Sequence, residues 1–397
     1  MEMVPFEEAL TRTISIAKPI GVETVAFGEA EQRVLAQDVL ARSNAPATDV
    51  SAMDGYGVRE ANLYSLPAAL PVIGESFAGS KPQDDFTENG CIRIFTGAPV
   101  PPGIDRVVIQ ENVQRIGDIA HFKTDLSPGR NIRRTGSDFK VGDCLLPKGT
   151  LLNWRAMTTA ASADRSELQV YERPKAIILA TGDELAAPGF AYETPGHIPE
   201  SVSFGIAAYV RSVGAELLRS ERLADDPEKL SASAQSALQD ADVIIVTGGA
   251  SVGEKDYARS MFGENALDYI FPKVAMKPGK PVWMAKANGK TILGLPGNPS
   301  SALVTARLFL SPLLAGMTGQ DARQACQFRQ TTCRDNLPAI GGRETFSRAY
   351  LDRGQAVLFS SQDSSVQSSL VHADILIRRP AHSPATDAGS LIDVLDF

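Results

Sequence analysis

The spacing of apolar positions changes several times along the chain, and each change predicts a different kind of element. Phe6, Ala9, Leu10, Ile14 and Ala17 recur at three- and four-residue steps, which predicts an amphipathic helix over residues 6–18 whose apolar stripe needs a partner. A second helical piece is expected around Val34 and Leu35. From Ser51 the texture becomes short apolar runs broken by Gly and Pro, among them GCIRIF, DRVVIQ and HFKTDL. These predict a small β-rich domain that ends near Asp138.

A helical stretch over Leu152 to Ala161 leads into an alternation of strands and helices. Ala176 to Ala180 and Val243 to Val246 are bare apolar strands, Ala215 to Leu218 is a short strand, and helices are expected over Phe204 to Val213 and Leu230 to Leu238. Bare strands alternating with helices predict a doubly wound parallel sheet covered on both faces, with ligands at the strands' carboxyl ends. From about residue 326 short strands return (TFSRAYL, AVLF, ADILIR, LIDVLDF), with Gly341 and Gly342 at a turn. A small C-terminal β domain follows.

A length of 397 residues implies several domains rather than one core. Hydrophobic residues at 43% and charged ones at 22% are ordinary for a globular chain, which argues against disorder. No run of some 20 apolar residues is read as a membrane span, and MEMVPFEEALTRT lacks the basic and apolar regions of a secretion signal. A cytoplasmic protein is expected. The net charge of -8 disfavours nucleic-acid and membrane-surface binding, and Cys91, Cys144, Cys326 and Cys333, with no CxxC pair, read as plain thiols.

Each bare central strand runs into a polar glycine loop, ATGDEL after the first and TGGASVGEKDY after Val246. Glycine lets main-chain N–H groups approach an anion, and the following helix adds its positive end; a plain strand-to-helix turn is the alternative. The loops also carry Asp183, Glu184, Glu254 and Asp256 beside Thr181, Thr247 and Ser251. Carboxylates facing a phosphate call for a hard cation such as Mg²⁺ or for general-base work, although Asp183, Asp225 and Asp226 also suit helix capping. In PKVAMKPGKP, Lys273, Lys277 and Lys280 sit in a loop stiffened by proline and glycine, a candidate anion site. LGLPGNPSSALV then opens a helix with Ser300 and Ser301 at its start.

In order along the chain, SAMDGYGV, CIRIFTGAPVPPG, NIRRTGSDF, ATGDEL, TGGASVGEKDY, KPGKP and LPGNPSSA resemble the motifs of the MoeA and gephyrin E-domain family, the molybdopterin molybdenumtransferases. The resemblance covers nearly the whole chain. It implies a linking domain (residues 1–45 and 139–172), a β-rich domain (46–138), a molybdopterin-binding α/β domain (173–325) and a C-terminal β-barrel-like domain (326–397). It also implies a homodimer whose site lies between the α/β domain of one subunit and the β-rich domain of the other. The implied reaction inserts molybdenum from molybdate into adenylylated molybdopterin, with Mg²⁺-dependent release of AMP. An adenylyltransferase and cofactor-receiving molybdoenzymes would be its partners.

By position, the resemblance assigns catalytic roles to Asp54, Thr96, Asp138, Glu184, Asp225, Lys273 and Lys277. Asp225 and Asp256 become metal ligands. Substrate contacts fall to Arg133, Gly248, Gly249, Ser251, Lys280, Pro296, Pro299, Ser301, Arg348 and Ser364. Lys277, Lys280, Ser301, Arg348 and Ser364 are the implied oxyanion pocket. The chain departs from the family at Pro199-Glu200-Ser201-Val202, where Asp-Ser/Thr-Asn is usual, at Ser137 in place of Glu, and at Asp363 in place of Gly. A molybdopterin-binding or scaffolding paralogue without catalysis is the alternative, and a nucleotide-processing hydrolase sharing only the central domain a weaker one.

Overall fold

The computed structural model of the 397-residue chain describes all residues except 1, 82–85, 87–88, 125, 127, 249–256 and 264–265. At its centre is a six-stranded sheet built from β1 (Lys175–Thr181), β2 (Glu216–Leu223), β3 (Val243–Thr247), β4 (Asp268–Phe271), β5 (Trp283–Ala287) and β6 (Lys290–Leu295), in the spatial order β2-β1-β3-β6-β5-β4. The pairs β1–β2, β1–β3 and β3–β6 are parallel, as expected. Strand β5 runs against both its neighbours, so that part of the sheet is antiparallel. The reason is local: β5 and β6 are joined by the short turn Asn288-Gly289, with both residues at positive φ, which closes a hairpin and leaves no room for a crossover.

The chain leaves β1 for β2 on one side of the sheet and returns to β3 on the other side of β1, so β1 and β3 flank the topological switch point. Helix α1 (Val202–Ser212) makes the first crossing and α2 (Pro227–Asp240) the second. Asp226 caps α2 by accepting from the N–H groups of Glu228 (3.1 Å) and Lys229 (3.3 Å), and Pro227 occupies its first turn. Every residue of β3 is buried, which is why it reads as an unbroken apolar run.

The helical run Pro299–Met317 is apolar and long enough, by length and composition, to cross a membrane, contrary to the expectation from sequence. It is instead a core helix, with 89% of its most apolar stretch buried. Its middle, Ala306–Leu310, widens into a π turn just ahead of Pro312, whose ring would otherwise meet the carbonyl four residues back. The N-terminal helix Phe6–Ile16 finds its partner here. Phe6 packs against Phe309, Phe328 and Phe346, joining the first residues of the chain to the central and C-terminal cores.

Val34 and Leu35 are not helical. They form antiparallel bridges with Leu151 and Val170, and Leu35 N–H donates to Thr150 at 3.0 Å; distant strands satisfy their backbone and override the local pattern. Residues 55–122 form a second six-stranded sheet and the C-terminal residues a third, which β-pairs to the central unit where Met276–Lys277 lies parallel to Glu344–Thr345. The four cysteines are free thiols. Burial pushes Cys91 up to about 12 and Cys326 up to about 11, which leaves both protonated at neutral pH.

Candidate functional site

The carboxyl ends of β1, β3 and β6 open into a cavity of about 870 Å³, lined in part by Thr181, Glu184, Thr247, Gly248, Lys273, Lys280, Pro296 and Pro299. Glycine is required at its floor. Gly248 has φ +91°, and a Cβ there would lie 2.2 Å from the Thr181 carbonyl oxygen; Gly297 approaches in turn, its added Cβ falling 3.4 Å from the Gly248 Cα. Three strand ends therefore converge with bare backbone between them. The Glu184 carboxylate folds back over Gly182, close enough that a Cβ on Gly182 would come within 2.6 Å of Oε2.

Asp225, at the end of β2, is tied to the same edge, its N–H donating to Asp183 Oδ1 at 2.9 Å. Asp183 thus stitches two strand-end loops together rather than capping a helix. Gly249, Ser251 and Asp256, assigned from sequence to substrate and metal, lie outside the described residues.

The three loop lysines diverge. Lys273 and Lys280 line the large cavity, whereas Lys277 lines a second one of about 430 Å³ with Arg343, Gln362 and Arg379. The turn at Gly279 (φ +99°) separates them, and it presses so closely on Thr305 that a Cβ would lie 2.2 Å from its Cγ2. Ser301 is buried, 5% exposed. Arg348, 2% exposed, donates through Nη1 to Ser300 Oγ (2.7 Å), Val366 O (2.7 Å) and Ser369 Oγ (3.0 Å), and through Nη2 to Asp363 O (2.8 Å). Ser364 Oγ accepts from Asn298 Nδ2 at 3.0 Å. The five residues of the implied oxyanion pocket are therefore spread over two cavities and the packing between them.

Asp54, Thr96, Arg133 and Asp138 do not line the central cavity. Asp54 and Thr96 do meet each other: Asp54 Oδ1 accepts from the Thr96 N–H and hydroxyl, both at 2.8 Å. That N–H, then the hydroxyl, with the Arg93 charge beyond, holds Asp54 below the usual carboxylate range, so it stays ionised through neutral pH. Arg133 is exposed in a short strand paired to Val50–Ser51, and Asp138 lines a shallow surface cavity with Phe139 and Asp143.

Sequence reasoning missed Arg259, Asn298 and Gln367 as cavity residues. Arg259 is fixed by rings, its guanidinium 5.5 Å from Trp283 and 5.6 Å from Tyr269, and it donates to Pro272 O at 2.7 Å. Asn298 lay within a quoted motif. Gln367 belongs to the C-terminal region and carried no local signal.

Fold and site together define an α/β protein with a candidate anion site at the carboxyl ends of a switch-point sheet. Family comparison narrows this: residues 4–163 match the MoeA N-terminal region (domain I and II), 177–316 a probable molybdopterin binding domain, and 330–397 the MoeA C-terminal region (domain IV). The chain is 32% identical over 402 residues to the molybdopterin molybdenumtransferase of Haemophilus influenzae, covering 100% of this chain and 99% of that one. It is 33% identical over 387 residues to molybdopterin molybdenumtransferase 2 of Mycobacterium tuberculosis, covering 94% and 95%. A crystal structure of a molybdopterin biosynthesis MoeA protein from Pyrococcus horikoshii OT3 superposes with a TM-score of 0.84 at 26% identity, covering 100% of both chains. The chain belongs to the MoeA family of molybdopterin molybdenumtransferases.

Proposed function

We propose that this protein inserts molybdenum from molybdate into adenylylated molybdopterin, releasing AMP, as a cytoplasmic step of molybdenum cofactor biosynthesis. The observation that carries the reading is the 870 Å³ cavity at the switch point, where Lys273 and Lys280 supply cationic charge beside Glu184 and a glycine-floored main chain. In that setting ammonium groups hold the phosphate and oxyanion by direct charge attraction. Glu184 is the group placed to accept a proton as the phosphoanhydride is opened.

The carboxylate of Asp225 stands on a strand-end loop tied to the Asp183 loop, and an oxygen donor of this kind suits Mg²⁺ shared with substrate phosphate. Held there, with Asp256 as the further ligand implied by the family, Mg²⁺ would offset the charge on the phosphoanhydride. Asp54, Thr96, Arg133 and Asp138 do not line their own chain's cavity, which favours a homodimer in which each subunit's β-rich sheet completes its partner's site. An adenylyltransferase upstream and molybdoenzymes downstream are the matching partners.

Complementation of a bacterial strain lacking its molybdenumtransferase tests the proposal. The wild-type chain should restore nitrate reductase activity and Glu184→Gln should not. Failure of a well-expressed wild-type chain would favour the scaffolding alternative, to which the altered residues 199–202 lend some weight.

A further inference from the structure

At residues 199–202 the cavity wall has no free carboxylate or amide to replace the acid and amide usual there. Glu200 is 5% exposed and its carboxylate is consumed at the start of α1, accepting from the Ser203 N–H at 2.7 Å and from the Ser203 hydroxyl. Val202 is apolar. Only the Ser201 hydroxyl remains, and it donates to the side-chain oxygen of Gln367, which reaches the same cavity from the C-terminal region.

That contact is long, 3.4 Å, and so weak, and the Gln367 Nε2 has no partner among the described residues. The main chain beneath Gln367 is, by contrast, firmly held. Val366 O accepts from Ser300 Oγ (2.5 Å) and Arg348 Nη1 (2.7 Å), Gln362 exchanges two 2.9 Å hydrogen bonds with the backbone of Arg348, and Ser364 is tied to Asn298. Ser300 and Asn298 belong to the helix start that forms the cavity floor. Gln367 is exposed at the cavity wall, so its lightly held carboxamide is open to a ligand while the main chain that carries it is fixed, the arrangement that substrate recognition needs.

We propose that Gln367 is a substrate-binding residue of the central cavity, supplying from the C-terminal region the amide that residues 199–202 lack. Its ligand chemistry is the edge of a planar heterocycle with adjacent donor and acceptor atoms, which a carboxamide meets with its own paired groups. Both the pterin and the adenine of the substrate have such an edge, so the inference rests on the function proposed above.

Direct titration of the full-length protein with adenylylated molybdopterin, AMP and molybdate tests it. Gln367→Ala, and Gln367→Glu, which keeps the shape but loses the donor, should each weaken adenylylated molybdopterin about tenfold, the effect of one lost hydrogen bond, with molybdate affinity and melting temperature unchanged. Ser368→Ala on the same loop serves as the control and should match wild type. A parallel loss for AMP assigns the adenine, and its absence the pterin. Equal affinity in wild type and both Gln367 variants, or a loss confined to molybdate, overturns the inference alone. A wild type that binds no adenylylated molybdopterin overturns the reading beneath it.

Discussion

Lys277 and Lys280 stand three residues apart in a loop that reads as one cationic cluster, yet they face different cavities because the chain must turn at Gly279 against Thr305. The motif was legible because its residue types are local. The divergence was not, because it depends on a contact with a helix 26 positions away. If Lys277 holds the oxyanion from the second cavity, Lys277→Ala should weaken molybdate binding by about 1.5 to 3 kcal/mol, the scale of hydrogen bonds to charged groups, while leaving the melting temperature unchanged. Lys277→Arg should rescue poorly, since a planar fork does not reproduce a compact ammonium. An exposed lysine with no ligand would contribute almost nothing, so unchanged molybdate affinity in calorimetry would remove Lys277 from the site.

At the scale of elements, the bare apolar strands β1 and β3 and the helix start after LPGNP were readable because a sheet buried on both faces leaves a continuous apolar run. Two features were not. The antiparallel β5 follows from a short positive-φ turn, and the bridged Val34 and Leu35 follow from partners more than 100 residues away. The C-terminal loop at residues 361–369 likewise shows no periodicity, and its position is set by Arg348. That guanidinium binds main-chain carbonyls and serine hydroxyls and, among the described residues, makes no ion pair with a carboxylate. Arg348→Ala should leave several buried acceptors unpaired and lower stability by about 3 kcal/mol or more, measured by urea unfolding. A variant as stable as wild type would show that the loop does not depend on this anchor.

Across the whole molecule, the order of domains was legible in the motifs. The proposed sharing of the site between two copies was legible only through the family resemblance, because no local pattern in the sequence marks a surface as meeting a second chain. Sedimentation at micromolar concentration should show a dimer. Mixing Asp54→Ala with Glu184→Ala subunits, each inactive alone, should restore about a quarter of wild-type activity, since half of the re-paired dimers are mixed and each mixed dimer has one intact site. No recovery after verified subunit exchange would mean that each chain builds its own site.

The most direct test of the central claim is release of AMP from adenylylated molybdopterin by the purified protein in the presence of Mg²⁺, with and without molybdate. The account predicts AMP release that depends on molybdate and Mg²⁺, is matched by molybdenum bound in the pterin product, and is lost in Glu184→Gln. Tight binding of adenylylated molybdopterin by a folded wild-type dimer, with no AMP released at any molybdate concentration, would contradict it.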